Sequence, residues 1–165
     1  MFFKKKIAVE DFCSDYLKTL FHPEIDLVYE QLRAACADPA LNAADQKLYL
    51  DNIRAVTIEL MNIAIIKKCG LDISTDARVF IADCLNERGL SHIDSLSSDS
   101  LTSIYNQAFG RIGQDGVATI VAAFAQQVTD LQMRPETAQR FYVEFSNTLK
   151  GFFDKLKTVK LVAMR

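Results

Sequence analysis

Residues 134–163 read RPETAQRFYVEFSNTLKGFFDKLKTVKLVA, and this stretch decides the fold class. Its apolar positions recur at alternating steps of four and three residues, a spacing that keeps them on one side of an α-helix. They are Ala138, Tyr142, Phe145, Leu149, Phe152, Leu156, Val159 and Ala163. The pattern predicts a helix over residues 135–163, about 40 Å long, whose apolar face must pack against other elements.

A second long helix is predicted over residues 42–68, with Asn42 as its N-cap and Gly70 just beyond its end. Its second half is apolar nearly all round, which predicts a position in the middle of the core. The main polar interruption lies on one side and consists of Asp51, Ala55, Glu59 and Asn62. Because Glu is rarely buried without a partner, we expect this side to be a narrow strip facing solvent.

The composition is typical of one all-α domain spanning residues 1–165. Half of the residues are hydrophobic, only three are Pro and six are Gly, and no segment has the alternation expected of a strand. We predict a bundle of about seven helices, in which 42–68 and 135–163 are the longest. Residues 91–103 are rich in serine and are predicted to form an exposed loop, and residues 1–8 a short basic tail.

The sequence favours a cytoplasmic location. The longest stretch without a charged residue, 116–129, has fourteen residues, fewer than the roughly 20 that span a bilayer. No signal-peptide pattern follows the first residues. The four cysteines are widely spaced without a C-x-x-C pair, which predicts reduced, packed thiols.

Both ends of the chain are basic, whereas its body is acidic. Residues 1–6 carry a charge of +3 and residues 150–165 a charge of +4, whereas residues 7–149 carry −9. We expect these ends to form a partner or membrane surface, composed of Lys4, Lys5, Lys6, Lys155, Lys157 and Lys160. An acidic protein partner or self-association is the main prediction. Peripheral contact with an anionic membrane is an alternative, and no transmembrane segment is expected.

No catalytic or metal-binding motif is present in the sequence. The chain has two histidines and neither an H-E-x-x-H nor a Glu-x-x-His pair, so we predict no metal site, no catalytic residue and no cofactor. His92 is a formal candidate for an axial haem ligand in a helical chain. An apolar cavity near Phe80, Phe124 and Phe145 is a related hypothesis, and would make the protein a small-molecule binder.

A glycine-rich segment is the one short motif with a possible ligand. Residues 109–120 resemble a helix-hairpin-helix element, which would grip a nucleic-acid phosphate through backbone N–H groups. The candidate phosphate-binding residues are Gly110, Arg111, Gly113 and Gly116, although Arg111 stands where such hairpins usually have their first glycine. The segment also has the G-x-x-G form of a KH loop, without the basic residues and flanking strands typical of one. An acidic body disfavours binding to a phosphate backbone.

These observations favour a non-enzymatic helical interaction module. We expect it to dock through an apolar helix face, with the basic ends attracting an acidic partner. Binding of an apolar ligand or haem, and weak nucleic-acid binding at residues 109–120, are the alternatives.

Overall fold

The computed structural model describes residues 3–96, 114–129 and 131–163. Within these ranges the chain forms eight helices: α1 (Val9–Leu20), α2 (Pro23–Cys36), α3 (Pro39–Asn42), α4 (Gln46–Cys69), α5 (Leu71–Glu87), α6 (Ser91–Leu96), α7 (Gln114–Val128) and α8 (Pro135–Thr158). The strands β1 (Lys5–Ala8) and β2 (Val159–Val162) form a two-stranded sheet. The prediction of an all-α bundle with two long helices is therefore confirmed, and these are α4 and α8.

Helix α4 begins three residues later than the predicted helix body. The side chain of Asp45 accepts a hydrogen bond from the backbone N–H of Leu48 at 2.9 Å and caps α4. Asn42, the predicted cap, instead ends the short helix α3. Gly70 ends α4 as predicted, with a φ of +91°, a conformation that glycine adopts without a steric penalty.

Helix α4 lies at the centre of the bundle, where it packs against α5, α6, α7 and α8. Every residue from Asp51 to Ile65 except Arg54 is buried. The predicted solvent-facing strip along Asp51, Ala55, Glu59 and Asn62 is therefore wrong, because α5 and α6 cover it. The apolar pattern of α4 was sufficient to predict its central position but not the burial of its polar side.

The C-terminal helix ends earlier than its apolar pattern predicts. Helix α8 stops at Thr158, and the next four residues leave the helix to pair in parallel with residues 5–8. Partners are Lys5 with Val159, Lys6 with Lys160, Ile7 with Leu161 and Ala8 with Val162. The expected helix to Ala163 and the expected basic tail 1–8 are both corrected by this pairing. Branched residues favour the extended backbone here, and mutual hydrogen bonding satisfies two short segments that neither could satisfy alone.

A cluster of aromatic side chains joins α4, α7 and α8. Tyr49 lies on α4, Phe124 on α7, and Phe141 and Phe145 on α8, and each side chain is at most 1% exposed. The ring centroids of Phe124 and Phe141 lie 4.9 Å apart, and those of Phe124 and Phe145 lie 5.6 Å apart. Such tilted and edge-on contacts add to the free energy gained by burying the rings.

The start of α8 is held by a buried carboxylate. Asp38 is 1% exposed, and its Oδ2 accepts a hydrogen bond from the backbone N–H of Arg134 at 2.8 Å. Its Oδ1 accepts one from the N–H of Ala40 at 2.9 Å. Burial acts to raise the pKa of Asp38, but these bonds and one from Thr137 outweigh it and hold the pKa below its usual value. Asp38 thereby fixes the first turn of α8 against α3.

Only part of the serine-rich segment 91–103 lies within the described ranges. Ser91–Leu96 forms helix α6, which corrects the expected loop over that part, and Ile93 is fully buried. Residues 97–103, the remainder of the predicted loop, lie outside the described ranges.

We predict that Phe145→Ala lowers the free energy of unfolding by about 3–5 kcal/mol, because it opens a cavity among the packed aromatic rings. Val143→Ala is the matched control, since Val143 lies on the same helix and is 47% exposed. Urea unfolding followed by circular dichroism measures both changes. Equal, small losses for the two variants would contradict the position of Phe145 in the core.

Candidate functional site

The last turn of α4, one face of α8 and the start of α7 line an open cleft of about 730 Å³, which we call the basic cleft. Its lining on α8 recurs every three or four residues, so one face of that helix forms a wall. The lining residues are Lys67, Lys68, Val117, Tyr142, Ser146, Leu149, Lys150, Phe153, Asp154 and Lys157. Four lysines against one aspartate give this lining a formal charge of +3.

The basic cleft combines exposed ammonium groups with apolar side chains. The Nζ of Lys68 lies 5.7 Å from the ring centroid of Phe153, a cation–π contact between α4 and α8. Lys157 donates a hydrogen bond to Asp154 at 2.9 Å, which lowers the pKa of that carboxyl below its usual value. Leu149 is 8% exposed and lies deeper. The cleft can therefore contact both an anionic group and an apolar group of one ligand.

The pairing of β1 with β2 brings the two basic ends of the chain together. Lys6 pairs in register with Lys160, and Lys4 precedes β1 directly. Burial raises the pKa of the Cys69 thiol at the end of α4, and the charge of Lys4 acts against this shift. Lys4 thus lies near the end of α4 that supplies Lys67 and Lys68.

We call the resulting surface the basic end. It comprises Lys4, Lys5, Lys6, Lys67, Lys68, Lys150, Lys155, Lys157 and Lys160, all of which are exposed. Within it, Lys157 lines the basic cleft, whereas the Nζ of Lys155 lies 5.9 Å from the ring centroid of Phe12 on α1. Lys155 therefore faces a different side of α8.

Sequence reasoning did not single out three lysines of the basic cleft. Lys67 and Lys68 fall in the last turn of α4, where lysines are expected simply to complement the helix dipole. In the sequence, Lys150 stands out only as one of the basic residues of segment 150–165. For Lys150 the sequence does contain a signal, because Phe153 and Lys157 follow it at three and seven residues on one face of α8. For Lys67 and Lys68 only the packing of α4 beside α8 shows that they share the cleft.

His92 belongs to a network of charged groups around a buried carboxylate. Its Nε2 lies 2.9 Å from Oδ2 of Asp51, which is 5% exposed. Lys47 donates to the same oxygen at 2.7 Å, and Arg54 donates to Oδ1 at 3.3 Å. Arg54 also binds Asp26 of α2 at 2.6 Å. The network joins α2 and α6 to α4. Because Asp51 engages Nε2 of His92, the structure disfavours this histidine as a haem ligand.

The other sequence candidates do not form a described site. Gly110, Arg111 and Gly113 lie outside the described ranges, and Gly116 is a buried residue within α7 rather than part of a turn. Phe124 and Phe145 pack directly against each other in the core, whereas Phe80 lies on α5 and is partly buried. None of the three lines the basic cleft.

No group of three or more His, Cys, Asp or Glu residues suited to a metal ion occurs among residues 3–96, 114–129 and 131–163. In the same part of the chain no helix has the length and apolar character needed to cross a membrane. The four cysteines are free thiols, and Cys13 is fully buried.

Comparison of the chain with models of protein families, with curated proteins and with solved structures found no match.

We predict that Asp51→Asn lowers the free energy of unfolding at pH 7 by about 1–3 kcal/mol, because charge-assisted hydrogen bonds to the buried carboxylate are weakened. Burial acts to raise the pKa of Asp51, but Lys47 and His92 hold it below its usual value. This contribution to stability is present above the unfolded-state pKa of about 3.9 and is lost as the pH falls through the folded-state pKa.

The measurement is urea unfolding of the wild type and of Asp51→Asn between pH 7 and pH 3. The difference between the two proteins should narrow in the acid range. Asp15→Asn serves as the control, since Asp15 is exposed and its oxygen lies 3.9 Å from Lys18. A difference that is constant over the whole range would show that the Asp51 charge contributes nothing to folding.

Proposed function

We propose that this protein is a non-enzymatic helical interaction module that docks an acidic, amphipathic helix of a partner protein in its basic cleft. The observation that carries the proposal is the composition of the cleft, four lysines and one aspartate around the side chains of Phe153, Leu149 and Tyr142. Apolar anchors from one face of a helix fill such grooves, and charges at the rim select the partner.

The charge distribution supports an acidic partner. The formal charge of the whole chain is only −2, so its attraction for an anion is local to the basic end. The basic end carries nine exposed lysines, and among the described residues that line the basic cleft four of these lysines stand beside a single carboxylate, that of Asp154. Such a local field raises the association rate of an acidic protein and makes it sensitive to salt.

A second candidate is peripheral binding to an anionic membrane, and a separate observation favours it. The side chain of Phe3 is 91% exposed and directly precedes Lys4, Lys5 and Lys6. An aromatic side chain beside lysines can enter the interface of a bilayer, and each lysine near the surface contributes about 1 kcal/mol. This candidate does not need the concave shape of the basic cleft, which is why protein docking is preferred.

The test uses a fluorescent synthetic helix of about 20 residues with a leucine stripe and a glutamate-rich opposite face. A shuffled peptide of the same composition lacks the stripe. Fluorescence anisotropy compares wild type with Lys67→Gln/Lys68→Gln/Lys150→Gln. The matched control is Lys18→Gln/Arg134→Gln/Arg140→Gln, which removes the same charge from exposed positions outside the cleft.

We expect the striped peptide to bind the wild type more tightly than the shuffled peptide, with an affinity that falls as salt is added. The cleft variant should bind about tenfold more weakly, and the control variant should bind almost as well as wild type. If the cleft variant and the control variant lost affinity for the striped peptide equally, net charge alone would explain the loss. That result would contradict docking in the basic cleft. Binding to phosphatidylserine vesicles, lost in Phe3→Ser and without any peptide binding, would replace this proposal with the membrane candidate.

A further inference from the structure

Helices α4, α5 and α6 enclose a second, smaller space of about 270 Å³ at a distance along α4 from the basic cleft. We call it the polar cavity. Its polar lining is Glu59 and Asn62 from α4, Arg78 from α5 and Asp94 from α6, and its apolar walls include Ile58 and Ile81.

The polar cavity contains a buried hydrogen-bonding group with no partner. Asn62 is 2% exposed, and its side-chain oxygen Oδ1 has no hydrogen-bond partner in the structure. An unpaired amide oxygen in the interior is destabilising, whereas leucine of similar size would fit an apolar core at no such cost. Asparagine at this position is therefore better explained by a ligand that donates a hydrogen bond.

The charge of the lining indicates which kind of donor fits. Glu59 and Asp94 are acidic and Arg78 is basic, so the formal charge of the described lining residues is −1. Glu59 is 2% exposed, and its Oε2 lies 3.3 Å from Nη2 of Arg78, so this pair forms one side of the cavity. An added cation would balance the remaining negative charge, and an added anion would not.

We propose that the polar cavity binds a small organic cation, a primary ammonium compound with a short alkyl chain. An ammonium group has three donors, which match the oxygen of Asn62 and the carboxylates of Glu59 and Asp94. The alkyl chain would lie against Ile58 and Ile81, which a bare metal ion would leave uncovered. A divalent ion also needs more oxygen ligands than these side chains supply. This site is separate from the basic cleft and does not depend on the function proposed for it.

The side chain of Arg78 gives the cavity a route to solvent. Its side chain is 35% exposed, whereas that of Glu59 is 3% exposed, so the pair reaches from the interior to the surface. The space that this pair lines is itself partly open to solvent, so a small ligand can enter it from the surface.

The test titrates the folded protein with butylammonium chloride and follows backbone amide shifts by NMR, with sodium chloride at equal ionic strength as the blank. We expect saturable shifts on α4, α5 and α6, with a dissociation constant roughly in the millimolar range for so few ligand atoms. Butanol has nearly the same shape without the charge and should bind at least about tenfold more weakly. Equal binding of butanol would overturn recognition of the ammonium group.

Three variants test whether butylammonium binds in the polar cavity. Asn62→Leu removes the oxygen, and we expect binding to weaken at least about tenfold. Ala82→Leu fills the cavity from a partly exposed lining position, so it tests the site even if Asn62→Leu folds poorly. Asn52→Leu is the matched control, because Asn52 is also a buried α4 asparagine with an unpaired Oδ1 but lies outside the lining.

The proposal stands if butylammonium binding is lost in the first two variants and kept in Asn52→Leu. It is overturned if the wild type shows no saturable shifts at millimolar butylammonium. It is also overturned if Asn62→Leu and Ala82→Leu bind as tightly as wild type, since the shifts would then report another site.

Discussion

The burial of α4 on nearly all sides is the constraint on which the rest of the structure depends. A helix whose residues from Asp51 to Ile65 are almost all buried needs neighbours around its whole circumference, and α5, α6, α7 and α8 provide them. The aromatic rings of Tyr49, Phe124 and Phe141 then fix where α7 and α8 cross α4. The positions of these four helices follow from the shape of the central one.

Because α4 is buried on nearly all sides, its polar side chains need partners in the interior. Carboxylates at Asp51 and Glu59 cannot stay unpaired in the interior, so Lys47, Arg54 and His92 surround the first and Arg78 approaches the second. The pair of His92 with Asp51 ties α6 to α4 and the pair of Arg78 with Glu59 ties α5 to α4, whereas Lys47 and Arg54 lie on α4 itself. Oδ1 of Asn52, Nε of Arg54 and Oδ1 of Asn62 are buried on α4 without a hydrogen-bond partner, and of these three residues Asn62 is the one that lines the polar cavity.

The parallel sheet has only four residue pairs, but it determines where the basic ends of the chain lie. It joins the start of the chain to its end, and it does so beside the last turn of α4. Three groups of lysines that are distant in sequence thereby share one end of the bundle. A chain with almost no net charge acquires a strongly basic surface, and the basic cleft adds an apolar floor to it.

The sequence by itself determined the helical class, the two long helices and the central place of α4. These features follow from local periodicity, because residues three and four apart share a face whatever the rest of the chain does. The lysines of the basic ends could also be named, as could the pair Glu59 and Asn62. Which of these side chains would be buried could not, because burial depends on helices far away in sequence.

Only the tertiary structure decided that the strip on α4 is covered, that α8 gives way to a strand after Thr158, and that Lys67 and Lys68 join the C-terminal lysines. A four-residue strand is too short to show alternation, and Val159 fits a helical stripe as well as a strand. Residues 159–162 are extended because they pair with residues 5–8, which lie more than 150 positions away in the sequence. Pairing over such a distance depends on how the intervening helices pack, and no local pattern of residues contains that information.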